Sequence, residues 1–480
     1  MIALSRRQVL KGMCSCAGSM VVSGCAVNPV TGRPQLMLMS ESKEIDMGKK
    51  AHGDIIKTFG VFNDEKLEGW LTEKGKEMGK VTQRSNLDYS FTVLDSPVVN
   101  AFAVPGGYVY FTRGILGYFN NEAQFAGVLA HELGHINYRH SASQYSKAQL
   151  ANMTLLIGSI FSEEFNRYAQ LASLGASFLF LKFSRDNERE ADRAGVEYSS
   201  AVGYDATEMS VFFHTLERLQ PKGGSLPSWA STHPDPGDRV KATLNMSRKY
   251  QKDHPGDYVI RRNEYLDVVD GMIFGENPHQ GYVKNDAFIH PDMKFMFPVP
   301  AGWKLTNNPT EVRMAPEDQK ALLVFTFAGG ESPRAAASKF TSENSITVTD
   351  ERMISINGMS CLRTIGTMPG DESPVAVMSY FIDKEGTIFA FHGLAASAQA
   401  GSYSDTFERS ANGFGVVTDQ SLLDVSSKNI HLRTAAGRKT FEDNLEDFGV
   451  PAENHEELSV INGFDLSQVI PVGTRMKIIE

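Results

Sequence analysis

His131 and His135 stand four residues apart, with Glu132 directly after the first, in the stretch His131-Glu132-Leu133-Gly134-His135. On a helix, residues four apart share a face, so both imidazoles can reach one small cation, and neutral imidazole nitrogens suit Zn²⁺. Two ligands alone make a weak site. The Glu132 carboxylate is rotated to one side, where it can meet a metal-bound water without taking a ligand position, which is the placement of a general base. A metal lowers the pKa of such a water to about 7, so a nucleophile forms at neutral pH and no covalent intermediate is needed. The chemistry is peptide hydrolysis. Glu188 and Asp192, one helical turn apart on one face of a second helix, offer a third ligand and an orienting carboxylate.

The elements that must hold these groups can be read around them. Asn120 or Asn121 caps a helix running to about Tyr138, Glu122 suits its first turn, and Phe125, Val128, Leu129, Leu133 and Ile136 form its buried stripe. Upstream, the pattern predicts helices from Ser40 to Phe59 and from Asp64 to Val81. A strand is expected from Leu87 to Leu94, and a hairpin from Asn100 to Phe111 turning at Gly106-Gly107. Helices dominate from Glu122 to about Arg218. Between the two ligand-bearing helices, Leu150 to Phe161 and Tyr168 to Phe183 are apolar runs shorter than the roughly 18 to 20 residues of a spanning helix, and read as a helical hairpin gating the cleft.

HELGH followed about fifty residues later by Glu-x-x-Ala-Asp resembles the gluzincin metallopeptidases, the family of the CAAX prenyl proteases and HtpX-type heat-shock proteases, nearest to periplasmic lipoprotein members of the BepA and LoiP kind. The resemblance covers about residues 28 to 250. It implies one zinc per chain held by His131, His135 and Glu188, with Glu190 the competing third ligand. It also implies Glu132 as base and Asp192 as the partner that fixes a histidine tautomer. Ser231-Thr232-His233-Pro234 with Arg239 resembles the family's Thr-His-Pro element. There His233 either steadies the oxyanion or fills zinc's fourth position and holds the enzyme idle. Ala101, Phe102, Ala103 and Val104 resemble the family's edge strand, to which an extended substrate peptide could add by backbone hydrogen bonds.

At the N-terminus, Arg6, Arg7 and Lys11 precede a short apolar run, a signal peptide over residues 1–24 that also looks like a twin-arginine export signal. Val22-Ser23-Gly24-Cys25 resembles a lipobox, making Cys25 the lipidated first residue of a protein anchored to the periplasmic face of the outer membrane. Cys14 and Cys16 leave with the signal, so Cys361 remains without an intramolecular disulfide partner. Loss of the signal removes three basic and no acidic residues, leaving 44 basic against 57 acidic and a net charge of −13. That balance argues against nucleic acid or an anionic surface as partner; the membrane link is the lipid.

The expected fold is α+β: a mainly helical catalytic domain with a small sheet (25–275), an α/β sandwich-like module (285–420) and a small βααβ module (428–480). Ala321–Phe327 and Thr387–Phe391 read as buried strands. Pro298-Val299-Pro300-Ala301-Gly302-Trp303 resembles the opening of small α/β sandwich modules of secreted proteins, and His290 and His392 lack carboxylate or cysteine partners at metal spacing. His431 to Ile479 resembles a degenerate LysM module, which implies peptidoglycan as a partner; packing within the chain is the alternative. Quality control of unfolded or misassembled envelope proteins is the role the resemblance implies. The competing expectations are a zinc-containing chaperone or assembly factor with a gated site, and a peptidoglycan-associated scaffold lipoprotein.

Overall fold

A computed structural model describes residues 25–153, 183–219, 229, 232–233, 236–308, 310–370 and 373–480. The expected signal peptide, nearly all of the hairpin expected between the ligand-bearing helices, and Ser231 and Pro234 of the stretch resembling a Thr-His-Pro element lie outside them. Among the described residues the fold is mixed α+β, with thirteen helices and several small sheets. Two compact units divide the chain. One takes the described residues of Met1–Ile56, Val61–Gly275 and Asn429–Glu480; the other takes Lys57–Gly60 and Glu276–Lys428.

In the first unit, α1 (Glu41–Phe59) buries Glu44, Gly48, Ala51 and Ile55 along one stripe, and α2 (Glu65–Gly79) starts where the Asp64 side chain accepts the Leu67 N–H. A three-stranded sheet follows, built from β1 (Ser90–Leu94), β2 (Ala101–Val104) and β3 (Tyr108–Thr112). β3 lies in the middle, parallel to β1 and antiparallel to β2. Gly106 and Gly107 make the β2–β3 turn with φ of 85° and 100°, values that L side chains rarely adopt. β2 is therefore an edge strand, with all four of its residues buried.

The sheet leads through α3 (Arg113–Tyr118) into α4 (Glu122–Asn137), which carries HELGH. Asn121 caps it by accepting the Gln124 N–H at 2.8 Å, and every residue of the helix is buried. Then come α5 (His140–Met153), α6 (Arg185–Ala201), α7 (Thr207–Arg218), α8 (Pro236–Asp253) and α9 (Arg262–Val269). α6 opens with a reciprocal capping box between Ser184 and Asn187, which sets where Glu188 and Asp192 fall. α4 and α6 pack closely at Gly134: a Cβ there would lie 2.8 Å from the Ala194 Cβ and 3.1 Å from the Ala191 Cα. A side chain at 134 would push the two helices apart.

The C-terminal segment belongs to this same unit. β4 (Ile430–Thr434) pairs antiparallel with β5 (Arg475–Ile479), and α10 (Phe441–Asp447) and α11 (His455–Asn462) lie between them. Phe441, Leu458, Ile461, Met476 and Ile478 join the apolar cluster of Phe119, Phe125 and Tyr265. The fully buried Lys477 donates from Nζ to the carbonyls of Gly117 and Phe119, at 2.8 and 2.9 Å.

The second unit has a seven-stranded antiparallel sheet in the order Thr347–Ile356, Met359–Met368, Val375–Lys384, Thr387–Ala396, Ala321–Phe327, Glu311–Ala315, Lys304–Asn308. Its core is aromatic, with Phe325 within 5.7 Å of the rings of Phe295, Phe297, Phe389, Phe391 and Phe414. His392 bonds the Ser379 hydroxyl at 2.9 Å and stacks on Phe340, a structural arrangement.

Candidate metal centre

α4 presents His131 and His135 on one face, with their Nε2 atoms 3.1 Å apart. α6, held close by Gly134, brings Glu188 against both: its oxygens lie 3.6 Å from His131 Nε2 and 3.5 Å from His135 Nε2. His233, just before α8, adds Nδ1 at 3.3 Å from His131 Nε2 and 3.1 Å from Glu188 Oε1. All four residues are buried and offer donor atoms within 4.8 Å of one another.

These separations fit a metal. Four N and O ligands held about 2.0–2.1 Å from a tetrahedral centre stand about 3.3–3.4 Å apart, and the five donor–donor distances above span 3.1 to 3.6 Å. Charge points the same way. Glu188 and Asp192, whose carboxyls are held below their ordinary values, are buried with one guanidinium, Arg239, between them. Buried anions in excess of cations are costly unless a cation joins them.

Glu132 sits beside the donor set. Both its carboxylate oxygens are buried without a hydrogen-bond partner, and Oε1 lies 3.7 Å from His233 Nε2, itself unpartnered. Burial pushes the Glu132 carboxyl up to about 7, against the pull of His233. A carboxyl near neutrality can both take and return a proton.

Behind His131, Asp192 accepts from Nδ1 at 3.0 Å and from Arg239 Nε at 2.9 Å, which leaves Nε2 of His131 bare for ligation. Although burial opposes it, Arg239 and the His131 hydrogen bond hold the Asp192 carboxyl at about 2. Arg239 also forms an ion pair with Glu188 Oε2 at 2.8 Å and lies over the rings of Phe213 and Trp229. Trp229 stacks on His233 with ring centres 4.6 Å apart. Phe183 covers His135 at 3.9 Å.

The structure thus gathers His131, His135, Glu188 and His233, with Glu132, Asp192 and Arg239 around them. Glu190 lies elsewhere: its Oε2 is 3.0 Å from His140 Nε2, and His140 Nδ1 is 3.1 Å from His135 Nδ1. His140 is not among the residues that sequence reasoning assigns to the site. Its one sequence signal is a fifth-residue spacing from His135, which on an unbroken helix would turn it away. Cys25 opens a short strand pair with Pro34–Leu36. Ala101, Phe102, Ala103 and Val104 form the edge strand β2.

A helix bearing two histidines and a glutamate, met by a second helix bearing glutamate and aspartate, defines a metallohydrolase-type site. Residues 65–247 match the family model for Peptidase family M48. Curated relatives carry related sequence. A putative beta-barrel assembly-enhancing protease of Vibrio cholerae is 28% identical over 40% of this chain and 41% of its own length. The beta-barrel assembly-enhancing protease of Escherichia coli K12 is 26% identical over 44% and 45%. The mitochondrial metalloendopeptidase OMA1 of Bos taurus is 28% identical over 45% and 44%. The chain thus spans under half the length of these relatives.

Proposed function

We propose that the protein is a zinc-dependent metalloendopeptidase of the cell envelope. The observation that carries this is the convergence of the buried His131, His135, Glu188 and His233, with donor atoms within 4.8 Å of one another and the unpartnered Glu132 carboxylate beside them. Zinc held by His131, His135 and Glu188 would supply a Lewis acid that polarises a peptide carbonyl and acidifies water. Glu132 takes the proton of the attacking water and returns it to the leaving amine. Asp192 and Arg239 hold His131 and Glu188 in place. β2, an edge strand among the described residues, is where an extended peptide would align.

His233 Nδ1 lies inside the donor set, which supports a gated reading: His233 is the fourth donor in the resting enzyme and must swing away before substrate is cut. Structural zinc sites are closed, whereas catalytic ones keep a position open. The relatives named for beta-barrel assembly support a substrate class of unfolded or misassembled envelope proteins, and Cys25 a lipid anchor facing the periplasm. No helix among the described residues is long and apolar enough to cross a membrane.

Zinc content and casein hydrolysis test this together. One zinc per chain, with hydrolysis lowered about 10²- to 10⁴-fold in Glu132→Gln while zinc stays bound, is the expected result. His233→Ala raises activity if the histidine is a brake and lowers it if it is an oxyanion donor. Zinc without cleavage in any form would favour a chaperone or assembly factor, and absence of zinc would overturn the proposal.

A further inference from the structure

The two histidines of HELGH are supported in different ways. His131 rests on a buried carboxylate, whereas the groups behind His135 are His140 and, beyond it, Glu190. We propose that His140 and Glu190 form a positioning couple that fixes the ring orientation and tautomer of His135, an inference that rests on the metal-site reading above.

Ligation through Nε2 leaves the proton of His135 on Nδ1, 3.1 Å from Nδ1 of His140. That atom must then accept, so His140 carries its own proton on Nε2, where Glu190 Oε2 accepts it at 3.0 Å. Each donor in this line has one acceptor, and both ring nitrogens of His140 are used.

The backbone is shaped to make it. α4 ends at Asn137, and Arg139 adopts φ of 57°, a left-handed value uncommon outside glycine. This turn starts a new helix at His140 and swings its ring back toward His135. Arg139 is held there by the buried Glu44, which it meets at 2.8 Å and which also binds Arg84 at 2.9 Å. Arg84 in turn donates to the Ile136 carbonyl at 3.0 Å, tying the end of α4 to the same network. Tyr138 stacks on His140 with ring planes 17° apart, fixing its plane. Glu190 differs from Asp192: its side chain is 34% exposed, so this line ends at the surface. A carboxylate reached through a neutral imidazole polarises the ligand less than one in direct contact.

The test is zinc affinity of the purified protein by competition with a chelator, the visible spectrum of the Co²⁺-loaded form, and thermal unfolding of the metal-free form. His140→Phe, which keeps the ring's bulk but no hydrogen bond, is expected to weaken zinc about 10- to 100-fold and shift the Co²⁺ bands. His140→Gln, with an acceptor and a donor, should recover much of the loss. Glu190→Ala, at a partly exposed position that folding tolerates, should weaken zinc by up to about tenfold with metal-free unfolding unchanged. If His140→Phe does not fold, Glu190→Ala decides the matter. Wild-type affinity and an unchanged Co²⁺ spectrum in either variant would overturn the inference while leaving the zinc site standing. Failure of the unmodified protein to take up zinc would remove the metal reading itself.

Discussion

Residues 276–428 and residues 429–480 both follow the region that matches the family model, yet they relate to a core in opposite ways. The first surrounds its own aromatic cluster, centred on Phe325, and forms a unit with only Lys57–Gly60 added. The second has no separate core: Ile430, Phe441, Leu458 and Met476 belong to the cluster that contains Phe119 and Phe125 of the first unit. Chain order is therefore a poor guide to which segments fold together. A region is autonomous when its apolar residues suffice to bury one another.

The second region also supplies a polar group to the rest of the first unit. Lys477 donates to the Gly117 and Phe119 carbonyls at the C-terminal end of α3, and so fixes the chain entering α4. Ile430 exchanges backbone hydrogen bonds with Gly271 and Met272, at 2.7 and 2.9 Å, and Arg218 donates to the Ser459 hydroxyl and to the Phe464 carbonyl. These contacts tie the stretch expected to resemble LysM to the first unit.

The sharpest way to break the comparison is to remove each region in turn. A chain ending at Lys428 is expected not to fold the rest of the first unit, seen as absence of a cooperative thermal transition and of bound zinc. Excising 276–428 and joining Gly275 to Asn429 by a short linker should leave both in place, because Ile273 already bridges Asn429. Cooperative unfolding in the first chain, or its loss in the second, would reverse the assignment.

A smaller test is Phe325→Ala, which removes a buried ring from the second unit at a cost of about 3–5 kcal/mol. By calorimetry one transition should move down while zinc content and the other transition stay unchanged. If both move together, the units are thermodynamically coupled.

Smaller still is Lys477→Met, which leaves two buried carbonyls unpaired at a cost of about 1–3 kcal/mol, read as a lowered denaturant midpoint. Burial, with Arg262 nearby, holds the Lys477 amine well below the ordinary lysine value. The folded protein then binds fewer protons here than the unfolded chain does. This residue's contribution is full above the ordinary lysine value and is lost as pH falls toward the folded one, so stability should rise with pH over that window. Lys477→Met should flatten that slope; an unchanged slope would place the amine in water.

Much of the site is legible in the amino-acid sequence. His131, Glu132 and His135 are related by a single helix's geometry, as are Glu188 and Asp192, and helical spacing is local. The cap at Asn120 or Asn121, the helix beginning near Asp64, the Gly106-Gly107 turn and the strand Ala321–Phe327 are readable for the same reason. Glu190 illustrates the limit. Sequence makes it a rival ligand to Glu188, two residues away, but two residues on a helix are about 200° apart, so α6 can turn only one of them to the histidines.

What the sequence alone determined is the set of short-range relations: which residues share a helix face, where helices begin, and which side chains can donate to a metal. What the tertiary structure decided is everything that joins distant segments. The approach of α4 and α6 at Gly134, the return of His140 after the left-handed Arg139, the entry of His233 into the donor set and the burial of Lys477 against α3 all depend on packing. Periodicity reports which face of an element is buried, but the partner that buries it is chosen by complementarity of shape and charge across the whole core.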